Sequence, residues 1–165
     1  MNILETAPIS TVRRNHGIEH ATVHVLTEHN PNTRLVGRAD TTGFNIYGDI
    51  PTDALESAAR EAVTRMQNGE GNLAVHPRCG TNLVVAGLVT ALAAVIAIGR
   101  KPSLRKIPDV ILATTVAAYV SQPLGLSMQK YITTSPDALG ARVAGIKQSQ
   151  MGQIHVQHVD IEWSV

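Results

Sequence analysis

The sequence predicts an α+β fold: a small mixed α/β domain with an inserted two-helix transmembrane hairpin. Three observations carry that expectation. A helical apolar pattern lies near the start, segments of strand character follow it and close the chain, and two long uncharged stretches separate the halves. With 165 residues there is room for one core, not for two lobes around a cleft. A formal net charge of +1 gives no electrostatic ground for nucleic acid or a strongly acidic partner. The single cysteine, Cys79, excludes an internal disulfide and leaves a thiol that is free, metal-bound or paired between chains.

Residues 11–27 read as the first helix, with Ile18, Ala21, Val25 and Leu26 on a face distinct from His16, His20 and His24. Gly17 weakens this helix by about 1 kcal/mol relative to alanine, a cost tolerable where something must approach closely. Asn30-Pro31-Asn32 ends it. Residues 33–39 and 43–48 flank the turn Asp40-Thr41-Thr42 and form a β-hairpin. Pro51-Thr52-Asp53 opens a second helix, with Thr52 as its cap and Asp53 and Glu56 near its positive end. Its apolar stripe is Leu55, Ala59, Ala62, Val63 and Met66. Asn68-Gly69-Glu70-Gly71 closes it, and residues 72–76 are expected as a short strand delivering His76-Pro77-Arg78-Cys79-Gly80-Thr81.

Residues 80–99 and 110–129 are each twenty residues without a charge. That is close to the roughly 20 residues needed to cross about 30 Å of hydrocarbon. Between them, residues 100–106 hold four positive charges and a proline. We read a transmembrane hairpin; the bland alternative is two helices buried in a soluble core or dimer interface. The domain layout expected is thus residues 1–81 for the first part of the α/β domain, 82–130 for the hairpin with its loop at 100–106, and 131–165 for the completing part. Gly87 with Ala91, and Ala113 with Ala117, are small residues four apart that let helices approach within the hairpin or across a homodimer. The first fifteen residues have no apolar core of signal-peptide type, so the hairpin itself would direct insertion. The basic loop favours a cytoplasmic hairpin tip, but the length of chain ahead of the first span opposes it, and sidedness stays open. After Ser135-Pro136-Asp137, residues 138–148 are expected as a short helix. Residues 153–163 are expected as a strand with a bulge near Gln157-His158.

His16-Gly17-Ile18-Glu19-His20 fits H-x-x-E-H, the inverted zincin pattern. Two histidines four apart stack on one helix face, with Glu19 beside them. Such a segment offers two imidazoles to a metal and a carboxylate to a water. A third ligand is still required, and Cys79 and His76 are the candidates, because a thiolate and an imidazole three residues apart fit a compact turn. Arg78 is the candidate for holding an anionic or carbonyl oxygen. His24 is expected as a supporting or exposed group, and His29 as solvated. Glu70 sits in a Gly-rich turn and is not favoured as a ligand. His155 and His158 reach the site only if the last strand pairs beside His76.

The pairing of His16, Gly17, Glu19 and His20 with His76, Arg78, Cys79, Gly80 and Thr81, followed at once by a hydrophobic span, resembles the YqhQ-like family of bacterial membrane proteins. That resemblance implies a metal-dependent enzyme in the bacterial cytoplasmic membrane. This chain is shorter, has two clear spans rather than several, and carries residues 33–66 between the motifs. A smaller domain-of-unknown-function family with that layout looks closer still.

The function expected is a membrane-anchored zinc-dependent hydrolase. His16, His20, His76 and Cys79 are the metal-ligand candidates, and Glu19 with Arg78 the catalytic ones. Zinc is the default metal, and a membrane-associated peptide or lipid-linked molecule the substrate, which makes a peptidase the first guess. The alternative is a non-catalytic metal-binding membrane protein, with either a closed structural zinc site or a metal-handling role. A haem site is disfavoured by the lack of C-x-x-C-H and of an aromatic-rich pocket.

Overall fold

The computed structural model describes residues 3–164. It divides into two compact units, one comprising the chain up to His76 and from Lys130 onward, the other Pro77–Gln129.

In the first unit the described residues form two α-helices, α1 (Ile9–His29) and α2 (Thr52–Gln67). Four strands accompany them: β1 (Val36–Ala39), β2 (Gly43–Tyr47), β3 (Ala141–Met151) and β4 (Ile154–Trp163). The strands make one antiparallel sheet in the order β1-β2-β4-β3. Alternation along β2 sends Phe44 and Ile46 to the face that α1 and α2 cover, where they meet Ile18, Val25, Leu55, Ala59, Val159 and Ile161. Burying each large apolar side chain there contributes about 1.5–3 kcal/mol. The apolar faces of both helices are as the sequence predicts.

Four local expectations are corrected. Thr52 is the first helical residue rather than the cap; Pro51 holds the cap position without a side-chain bond, and the Thr52 hydroxyl accepts from Gln148 Nε2 instead. Residues 72–76 are not a strand. Gly71–Ala74 form a 3-10 turn, because Leu73 N donates to Glu70 O at 3.1 Å and Val75 N to Asn72 O at 3.2 Å. Local bonds thereby take the groups that a strand would have offered to a neighbour.

Residues 138–148 are not a helix, since β3 occupies most of them and pairs with β4 over its whole length. The bulge lies on β3 rather than β4: Val143 pairs with Ile161 and Gly145 with Asp160, leaving Ala144 as the extra residue. This shift returns Ile146 to the core side after Ala141 and Val143. The apolar phase change along β4 has another cause. Gln157 takes an inward position, buried, and its Nε2 donates to Ile50 O at 2.7 Å.

In the second unit, α3 (Gly80–Ile98) and α4 (Ile107–Met128) form a helical hairpin. Gly99 turns the chain at φ +62°, and Lys106 Nζ donates to the Ile98 carbonyl at 2.6 Å, closing the end of α3. Gln129 Nε2 donates to Asn82 Oδ1 at 2.6 Å across the open end. Gly125 lets Asn82 approach, because a Cβ there would lie 3.0 Å from Asn82 Cα. Both helices are long and apolar enough to cross a membrane. Leu83, Val84, Leu88, Val95 and Ile96 on α3 are about 70 % exposed, as are Leu112 and Tyr119 on α4. Among the described residues, then, the chain's own core does not bury them. Of the small pairs, Ala117 is buried and Ala113 half-buried. Gly87 and Ala91 are exposed and do not close the hairpin.

Candidate metal centre

The site is built on α1, which is held from two sides. Gly17 has no Cβ because one would collide with the Ser135 carbonyl and lie 3.3 Å from Ala74 Cβ. The approach that the glycine permits brings two backbone segments against the histidine face. From one segment, the Thr133 carbonyl meets His16 Nδ1 at 2.9 Å. From the other, the Ala74 carbonyl meets His20 Nδ1 at 2.8 Å.

A carbonyl can only accept, so in each ring Nδ1 carries the hydrogen and, in the neutral form, Nε2 bears the lone pair. Metal-ligating histidines are oriented in this way, with the second nitrogen donating to a carbonyl or carboxylate. The two rings lie edge-on with centroids 4.4 Å apart. Burial, reinforced by His16, opposed by the Ala74 hydrogen bond and further aided by His76 and His24, pushes the His20 pKa down to about 3. His20 is therefore neutral, as a ligand must be.

Glu19 is buried next to them, its Oε2 3.6 Å from His16 Nε2. Its place depends on β1: a Cβ on Gly37 would fall within the Glu19 carboxylate, so only glycine leaves room. His76 is also buried, its ring 5.9 Å from His20 and 4.7 Å from His24. His24 Nε2 donates to Val75 O at 3.0 Å, so this residue is part of the cluster rather than an exposed group. Two imidazoles, a third and fourth beside them, and a carboxylate at hand are a donor set suited to a borderline divalent metal such as zinc.

Residues 11–146 match a family model described as a domain of unknown function, DUF6391, a span that takes in both motifs. The chain belongs to the DUF6391 family. It is thus of the smaller kind that its layout suggests, and its likeness to YqhQ-like proteins rests on the two motifs alone. An uncharacterized protein of Picosynechococcus sp. is 35% identical to this DUF6391 chain over 135 residues, covering 75% of the chain. The match spans 66% of that relative's own length. No solved structure matches.

Four candidates, His155, His158, Glu70 and His29, lie elsewhere in the DUF6391 fold. His158 is on the sheet face away from α1, opposite Asn45, whose Oδ1 is 3.1 Å from its Nδ1. Strand alternation keeps it from the site, and His155 is exposed near the start of β4. Glu70 is bound by Arg65 at 2.8 Å, which holds its carboxyl below the usual range. Arg65 itself is raised by Glu70 and Glu28. His29 is exposed at the helix end, its Nδ1 donating to Val25 O. Cys79 belongs to the second unit, where it caps α3 by accepting from Thr81 N at 3.3 Å. Arg78 precedes it, exposed.

Three contributors were not singled out from the sequence. Gly37 makes room for Glu19. Asn15 donates to Asp40 O at 2.8 Å and accepts from Trp163 Nε1 at 3.1 Å, tying α1 to the sheet. Arg13 is the third: its guanidinium donates to the carbonyls of Leu4, Tyr131, Ile132 and Thr134 and to Glu5. Arg13 therefore fixes the segment whose Thr133 carbonyl orients His16. Its spacing from His16 hints at a role, but the three partners that matter to the site lie more than a hundred residues away.

Proposed function

We propose that this chain is a membrane-anchored, metal-dependent hydrolase, with zinc as the default metal and an amide bond as its target. The observation that carries the reading is the pair of carbonyl-anchored imidazoles, His16 and His20, whose lone-pair nitrogens are the ε nitrogens, with the buried Glu19 beside them. His16 and His20 would hold the ion. Cys79, three residues on from His76, would be the further ligand that the sequence proposes, as a thiolate. A divalent metal supplies Lewis acidity and lowers the pKa of a water in its coordination shell. Glu19 would take the proton of the attacking water and pass it to the leaving amine. Arg78 would steady the developing negative charge on the substrate oxygen.

The exposed apolar faces of α3 and α4 support a membrane anchor, which favours a membrane-associated peptide or lipid-linked substrate. The test of catalysis is Glu19→Gln. It should leave metal content and thermal unfolding unchanged and lower turnover of a fluorogenic peptide panel by about 10²–10⁴-fold. Unchanged turnover would leave a non-catalytic metal protein. Retention of the chain in carbonate-washed membranes checks the anchor.

A further inference from the structure

His24 and His76 form a second pair beside the inner one. Their rings lie edge-on, with centroids 4.7 Å apart at 72°. This nearly repeats the His16–His20 arrangement, at 4.4 Å and 64°. His76 is closer to His24 than to His20, whose ring is 5.9 Å away.

His24 is also anchored the other way round. Its Nε2 donates to the Val75 carbonyl, so its lone pair is on Nδ1, whereas His16 and His20 present Nε2. A reversed ring does not simply extend the inner ligand set. Eight residues along α1 separate His24 from His16, a rise of about 12 Å. The two therefore sit about two turns apart, and the His24 ring packs on His76 rather than on the inner pair.

We propose that His24 and His76 form a second, outer position for a divalent transition-metal ion, adjacent to the His16/His20 position. This rests on the metal-site reading above. Imidazole nitrogen is the ligand type that zinc, copper and nickel share, so the outer position takes a metal of that class and not calcium or magnesium. His24 is half-buried where His20 is fully buried, which makes the outer position the more accessible and the more readily exchanged.

The experiment is a zinc titration of the full chain in detergent, after chelation and dialysis, read by a competing metal indicator. Wild type is compared with His24→Gln, which can still donate an amide hydrogen to Val75, and with His20→Ala; circular dichroism confirms that each variant is folded. The expected result is about two zinc ions per wild-type chain, the second weaker by about tenfold or more, and about one in His24→Gln. About one ion in both wild type and His24→Gln, lost in His20→Ala, would overturn the outer position and leave the inner reading intact. Two ions in His24→Gln would overturn its assignment to His24. No zinc in wild type would overturn both readings.

Discussion

Gly37 on β1 and Glu19 on α1 occupy complementary space: the carboxylate fills the volume in which any other residue would place a Cβ. Gly37→Ala must therefore displace Glu19, because its Cγ, at 2.8 Å from that Cβ position, is crowded along with Cδ and Oε1. We expect a stability loss of about 1–3 kcal/mol from overpacking. Turnover should fall toward the level of Glu19→Gln while metal content stays near wild type. Denaturant unfolding and metal analysis on the same preparations check both halves.

His20 gives the metal-free protein a defined response to acid. Its folded pKa, about 3, lies below the value of 6.5 expected when it is unfolded. Between those values the unfolded chain binds the proton and the folded chain does not, so stability rises with pH across the window. The contribution is fully present above pH 6.5, falls as pH drops, and is lost near pH 3, amounting to up to about 5 kcal/mol. Unfolding of chelated protein followed from pH 7 to pH 4 should show this slope, and His20→Asn should flatten it. A slope unchanged in the variant would assign the acid response to other groups.

Arg13 joins the fold to the site. Its side chain is buried and serves four backbone carbonyls, so Arg13→Ala removes the donor from each, including the buried bond to Thr134 O. A loss of about 2–4 kcal/mol is expected, with faster amide exchange in residues 131–135. The surface network of Arg65 with Glu28 and Glu70 provides the contrast, since solvent screening should leave Arg65→Ala with a much smaller loss than Arg13→Ala. Equal costs in the two variants would contradict the clamp.

Much of this arrangement is legible in the sequence. The α1 and α2 faces follow from apolar spacing, and the β1–β2 hairpin from its turn. The suspicion that Gly17 marks a close approach is met by the Ser135 carbonyl. β3 is not legible: Ala141, Val143 and Ile146 fall out of step across the bulge, and the helix-forming Ala, Lys and Gln residues around them mask a strand that pairing with β4 decides. Nor are the partners that orient the histidines, because a backbone carbonyl at Thr133 or Ala74 leaves no side-chain signature. Gly37 shows only that something is close, not that it is Glu19. The single inward Gln157 mimics a phase break and moves the expected bulge to the wrong strand.

The most direct test of the account is the metal content of full-length protein purified in detergent and dialysed against metal-free buffer. Wild type is measured beside His20→Ala and Cys79→Ser. About one tightly held zinc per wild-type chain is expected, absent from His20→Ala and reduced in Cys79→Ser. A wild-type chain that neither retains zinc nor takes it up on reconstitution, or one whose zinc survives His20→Ala, would contradict it.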